Sequence, residues 1–233
     1  MGKKDLKLGT IKDRLEAAKH LHRSGNLPRA EEEYRKILAE EPNNSEAHHL
    51  MGLLALQMGK LDIAKYFIDT AITLDDTKPE YLVNLGVVYY LKGDLKEAKN
   101  LFTKAISIDD SYMEAYANYG KVLAEENDLE EARKYLVKAV NLGDKDPSTL
   151  ITLAEVNFRL KMYDRAEQIC KLIFDLGIDE IQVYDILIES LIKQNKANEA
   201  IPFLEIMIRR SKFDDKYKKL LEQIYKQTGF SES

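Results

Sequence analysis

Few side chains in this sequence are suited to chemistry, and they are scattered. The four histidines, His20, His22, His48 and His49, all fall near the start. Two imidazoles on neighbouring helices could hold a zinc ion. No cysteine accompanies them, however, and no two stand four residues apart, so they read as partly exposed helix residues. The single cysteine, Cys170, has Ile169 and Leu172 beside it and reads as a small buried hydrophobe. Being alone, it makes no intrachain disulfide. Acidic pairs such as Glu125-Glu126 and Glu130-Glu131 follow the surface spacing of helices. The sequence has no glycine-rich phosphate loop ending in Gly-Lys, no G-x-S-x-G and no H-E-x-x-H. The expectation is a protein without catalysis, metal or cofactor.

The elements that would carry a binding site follow from composition. The 233 residues are 32% charged and 45% hydrophobic, with only 5 prolines and 11 glycines, which suits a helix-rich chain without long flexible linkers. No apolar run approaches the ~20 residues of a membrane span, so membrane insertion is not expected. The start, MGKKDLKLGT, lacks the apolar stretch of a secretory signal, and Leu6 stands where myristoylation asks for Ser or Thr. The expected compartment is the cytoplasm. Residues 1–44 carry a net charge of +2, residues 45–195 carry −9, and residues 196–233 carry +2. An acidic centre argues against a nucleic-acid groove, which needs a basic stripe to displace counterions.

The stretch NLGVVYYLKGDLKEA, residues 84–98, returns at a period of 34. Ala30, Ala64, Ala98, Ala132, Ala166 and Ala200 stand in one column. Ala18, Gly52, Gly86, Gly120 and Ala154 form a column of small residues, broken by Ile188. Gly25, Gly59 and Gly93 form a turn column that continues as Asn127, Lys161 and Asn195. The units are therefore 11–44, 45–78, 79–112, 113–146, 147–180 and 181–214, after a tail at 1–10. Each reads as two helices. In the third, Leu82, Leu85, Val88 and Tyr89 recur at helical spacing, then Leu95, Ala98, Leu101, Phe102 and Ala105 do the same. Gly93 ends the first helix and Asp94 caps the second.

A pair of this kind cannot bury its apolar stripe alone, but stacked pairs can. The fold class expected is all-α, an α-solenoid: a right-handed superhelix of antiparallel helix pairs with one continuous core. Gly86 is expected to let the paired helices approach closely, against Ala98 and Ala105, and Ile188 is expected to splay or repack the sixth pair. Residues 215–229 form a further amphipathic helix that covers the open end, followed by a tail at 230–233. Pro202 falls inside a helix, where it removes one backbone hydrogen bond and favours a kink, whereas Pro28 falls near a helix start.

These residues resemble the tetratricopeptide repeat, whose signature runs from a large residue through Leu-Gly, Tyr, Ala and Phe to Pro. The third unit supplies Leu82, Leu85-Gly86, Tyr89, Ala98 and Phe102, with Asp110 in place of proline. The first keeps Pro42 but has Arg14 and Ala17 at the earlier positions. The resemblance spans residues 11–214 and implies a non-enzymatic scaffold that binds a peptide or a partner helix in a concave groove lined by the first helix of each unit.

Carried over position by position, the implied groove residues are His49, Leu53, Val83, Asn84, Val87, Tyr90, Asn118, Lys121, Ile151, Glu155, Phe158 and Arg159. Asn84 and Asn118 share a column, and in some relatives asparagines there hold a peptide backbone, since an amide both donates and accepts. One subclass binds acidic chaperone tails through a Lys and Asn pattern over three successive units. No three units here match it, so chaperone tails are not expected partners. The same apolar wall also suits a lipid or other small apolar ligand, or the repeats could regulate a larger enzyme or complex. Self-association through the groove or the end surfaces is a further alternative.

Overall fold

The computed structural model describes residues 9–210 and 215–228, and among these the chain is built from thirteen α-helices with no strands. In chain order they are α1 (Ile11–Arg23), α2 (Leu27–Glu40), α3 (Ser45–Gln57), α4 (Leu61–Leu74), α5 (Pro79–Leu91), α6 (Leu95–Ile108) and α7 (Met113–Glu125). Then follow α8 (Leu129–Asn141), α9 (Pro147–Arg159), α10 (Tyr163–Asp175), α11 (Ile181–Lys193), α12 (Ala197–Arg210) and α13 (Lys216–Thr228). They pack as two compact units, one ending at Tyr119 and the other beginning at Gly120, so the division falls inside α7. Within each unit, helix pairs stack in chain order, the arrangement of an α-solenoid.

At α1, α3, α6 and α9 a short polar side chain satisfies an unpaired backbone donor of the first turn, whereas α2, α4, α5, α8, α10 and α11 start without a side-chain cap. Thr10 and Asp13 cap α1 reciprocally. Asn44 caps α3 by accepting from the Ala47 N–H at 2.9 Å. Asp94 accepts from the Glu97 N–H at 3.1 Å, as its position after Gly93 requires. Pro28 lies in the first turn of α2, where its missing N–H costs nothing. Pro202 lies inside α12, which continues through it as one helix.

Between the two helices of each pair, the turn residue is left-handed in every case. Gly25, Gly59 and Gly93 have φ of 79°, 70° and 81°, and Asn127, Lys161 and Asn195 follow at 65°, 61° and 60°. A lysine is disfavoured in this region, and at Lys161 the turn is closed by two backbone hydrogen bonds, Lys161 N–H to the Phe158 carbonyl and Met162 N–H to the Asn157 carbonyl, both at 2.9 Å. The turns between pairs are of two kinds. After α4 and α6 the chain leaves through an extended aspartate, Asp75 or Asp109. After α8 and α10 it leaves through a left-handed glycine, Gly143 or Gly177.

The six alanines of the repeat column, from Ala30 to Ala200, are all fully buried. The small-residue column has a more specific partner than sequence suggested. A Cβ on Gly86 would lie 2.5 Å from Phe102 Cε1, and the three nearest atoms all belong to that ring. At Gly52 the atom met is Ile68 Cγ1 at 2.4 Å, and at Gly120 it is Leu136 Cγ at 2.7 Å. Gly86 is therefore a socket for the Phe102 ring, and at Gly52 the backbone oxygen of Ala64, in the column of Ala98, also comes within 3.2 Å of such a Cβ. Burying that ring contributes about 1.5–3 kcal/mol, which offsets the ~1 kcal/mol that glycine costs a helix interior.

In the sixth pair the socket is filled by Ile188, 1% exposed, within the core that includes Leu187, Ala200 and Leu204. The backbones of α11 and α12 approach over less of their length than those of the glycine pairs α3–α4 and α5–α6. The capping helix α13 seals this core with Tyr217 and Ile224, 5% and 3% exposed.

Candidate functional site

In the unit ending at Tyr119, α3 and α5 lie side by side and bring several of the anticipated groove residues together. His49, Leu53 and Leu56 fall at i, i+4 and i+7 on α3, and Val83, Val87 and Tyr90 do the same on α5. The amide of Asn84 donates through Nδ2 to Nε2 of His49 at 2.9 Å. The His49 ring packs on the Tyr81 ring with centroids 4.3 Å apart. Ser45 Oγ and the Tyr81 hydroxyl lie 3.5 Å apart.

His49 is only 7% exposed, and burial pushes its pKa down to about 4. It is therefore neutral at physiological pH. With Nε2 accepting from Asn84, the ring proton resides on Nδ1.

The cluster opens on a cavity of about 400 Å3 lined by Ser45, Glu46, His49, Leu50, Lys78, Glu80 and Tyr81. Leu53 and Val87 are half-buried, and Tyr90 is 36% exposed. Val83 is 4% exposed and belongs to the wall's interior rather than its surface. Asn118 donates to the backbone carbonyl of Glu114, one turn back on its own helix, at 2.8 Å. The two asparagines of the shared column thus have different engagements, one across helices and one within a helix.

In the unit beginning at Gly120, the anticipated residues form polar bridges. Lys121 donates to Asp146 at 3.1 Å, and Asp146 also caps α9 through the Thr149 N–H. Arg159 donates to Asn127 Oδ1 at 2.6 Å, while Glu155 accepts from Gln182 on α11 at 3.4 Å. Phe158 is half-buried and meets the Tyr163 ring edge-on at 5.5 Å, and Ile151 packs against the core. These side chains tie successive helices together, which positions the wall and uses part of its hydrogen-bonding capacity.

Sequence reasoning missed Tyr81 and Leu50, because their role depends on which helix lies next to which. His22 and His48, like His49, have structural partners, while His20 is exposed. His22 lies 3.3 Å from the Tyr34 hydroxyl and 3.0 Å from Gln57 Oε1, and His48 lies 2.8 Å from the Pro42 carbonyl. Among the described residues no three His, Cys, Asp or Glu side chains gather as a metal site, and no helix is long and apolar enough to cross a membrane. Cys170 is fully buried, which pushes its thiol up to about 12.

Two family models, each described as a tetratricopeptide repeat, match residues 15–79 and 89–150, together more than half of the chain. The chain belongs to the tetratricopeptide-repeat family. Such repeats mediate protein–protein interaction. Solved structures show the same fold across this tetratricopeptide-repeat chain. The pilF protein of Pseudomonas aeruginosa is 18% identical with a TM-score of 0.81, over 91% of this chain and 97% of that one. PilW, described as a widely conserved type IV pilus biogenesis factor, is 16% identical with a TM-score of 0.74, over 91% and 98%. YrrB, described as a TPR protein with an unusual peptide-binding site, is 20% identical with a TM-score of 0.64, over 83% and 97%. A comparison with curated proteins finds no match.

Proposed function

We propose that this chain is a non-catalytic scaffold whose α3–α5 face holds a segment of a partner protein. The carrying observation is the combination of half-buried apolar side chains, Leu53, Leu56 and Val87, with the exposed Tyr90 and an adjoining cavity of about 400 Å3 rimmed by polar groups. Apolar anchors supply affinity in such a wall, and the polar rim fixes register. The neutral, buried His49 backs this face, joined to Asn84 by a hydrogen bond and packed against Tyr81. YrrB, of the same fold, is described as having a peptide-binding site, which supports a peptide over a small ligand.

The test is affinity capture with the wild-type chain and with a Leu53→Lys, Val87→Lys variant of unchanged circular dichroism, alongside native mass spectrometry of the purified protein. A protein retained by the wild type and lost by the variant supports the proposal. A co-purifying lipid or other small molecule that the variant loses supports the carrier reading instead. Equal retention of all proteins by both chains overturns the proposal.

A further inference from the structure

The unit beginning at Gly120 carries a second surface, of different chemistry. Between α11 and the capping helix α13 lies a cavity of about 460 Å3. Ile192 and Leu220 are its apolar lining, both half-buried and both packed on the core of the unit. Lysines dominate the polar lining: Lys193, Lys216 and Lys219 against the single carboxylate of Glu189. Lys216 pairs with Asp185 at 3.2 Å, and the Tyr217 hydroxyl donates to the same carboxylate at 3.0 Å. Those two contacts pin α13 to α11, so the groove is formed in advance. Lys193 and Lys219 have no ion-pair partner among the described residues.

An apolar lining edged by three lysines against one glutamate, with Lys193 and Lys219 outside any ion pair among the described residues, is a mismatch for a purely solvated surface. Lysine stems extend apolar walls while their ammonium groups stay in water, and two unpaired ammonium groups favour a ligand that brings carboxylates. We infer that the α11–α13 groove docks an acidic segment of a partner polypeptide, with a large apolar side chain seated on Ile192 and Leu220 and carboxylates on Lys193 and Lys219. The cavity on the α3–α5 face lacks this lysine excess: Glu46 is paired with Lys19, and Glu80 stands against Lys78, so charge distinguishes the two surfaces.

The test uses the full chain with two short synthetic peptides, one alternating glutamate and leucine and one alternating lysine and leucine, followed by methyl NMR and fluorescence anisotropy. The expected result is that the glutamate–leucine peptide shifts the Ile192 and Leu220 methyl signals and the lysine–leucine peptide does not. A Lys193→Glu, Lys219→Glu variant, both sites exposed, is expected to lose affinity about tenfold or more, while Leu53→Lys on the other face leaves it unchanged. Absence of methyl shifts, equal binding of the two peptides, or full affinity in the charge-reversed variant would overturn the inference. So would lysine-dependent binding to phosphatidylserine vesicles without any peptide-induced shift, which would assign the patch to a lipid surface.

Discussion

Asn84 Nδ2 donates to His49 Nε2 across 2.9 Å, joining α3 to α5 at the middle of the proposed binding face. The bond requires His49 to stay unprotonated at Nε2. Burial already favours that state, holding its pKa down to about 4. An unfolded chain takes up the proton near pH 6.5, so between those values the unfolded state binds more protons than the native one. Stability therefore falls as pH drops from about 6.5 towards 4, by an amount on the order of 2–3 kcal/mol. A pH titration of the imidazole by NMR checks this directly. The expected midpoint for His49 is near 4, and a midpoint near 6.5 would show an exposed ring.

The Gly86 socket makes a steric prediction. A methyl group there meets the Phe102 ring at 2.5 Å, and that ring is fully buried. Gly86→Ala should destabilise the chain by about 1–3 kcal/mol despite its better helix propensity. Gly86→Ala combined with Phe102→Leu should recover part of the loss. Chemical denaturation of the two variants measures both outcomes.

Glu167 is a buried clamp between α10 and the turn that follows α11. It accepts from Lys171 at 2.5 Å, from Lys196 at 2.9 Å and from Gln194 at 2.9 Å. Burial opposes its charge, but these donors outweigh burial and hold the carboxyl at about 2. A depressed carboxylate pKa contributes stability above the unfolded value near 4.5, and that contribution is lost as pH falls towards 2. Because the lysines are 52% and 39% exposed, solvent screening limits the contribution to about 1–2 kcal/mol. Glu167→Gln should lose that amount at pH 7 and almost nothing near pH 2, as read from thermal or denaturant unfolding.

Lys161 occupies a left-handed conformation, φ 61°, that costs a non-glycine residue roughly 1–2 kcal/mol. Lys161→Asn and Lys161→Gly should both raise the unfolding free energy, by about 0.5–1 kcal/mol. Lys161→Val should lower it. Melting curves of the three variants give the order.

How far the sequence carried the fold depends on whether the determinant was local. The repeat of 34, the alanine column and the turn column are patterns of residue type, so the helix pairs and their left-handed turns could be read directly. The Asp94 cap was legible because capping acts over three residues. The Phe102 socket was not, because it pairs residues 16 apart on facing helices, and only the side chain's direction decides between Phe102 and Ala98. Gly143 and Gly177 escaped notice because they lie outside the turn column, in a second kind of turn. The His49–Asn84 pair and the burial of Val83 depend on neighbours in the next repeat, which a single helical period does not specify.

The claim on which the functional account rests is that the α3–α5 face contacts a partner polypeptide. Site-specific photo-crosslinking tests it most directly, with a benzophenone amino acid placed at Tyr90 on that face or at Tyr66, which is 65% exposed on α4. The account predicts a covalent adduct to one partner protein from position 90 and none from position 66. Adducts from position 66 alone, or equal yields from both, would contradict it.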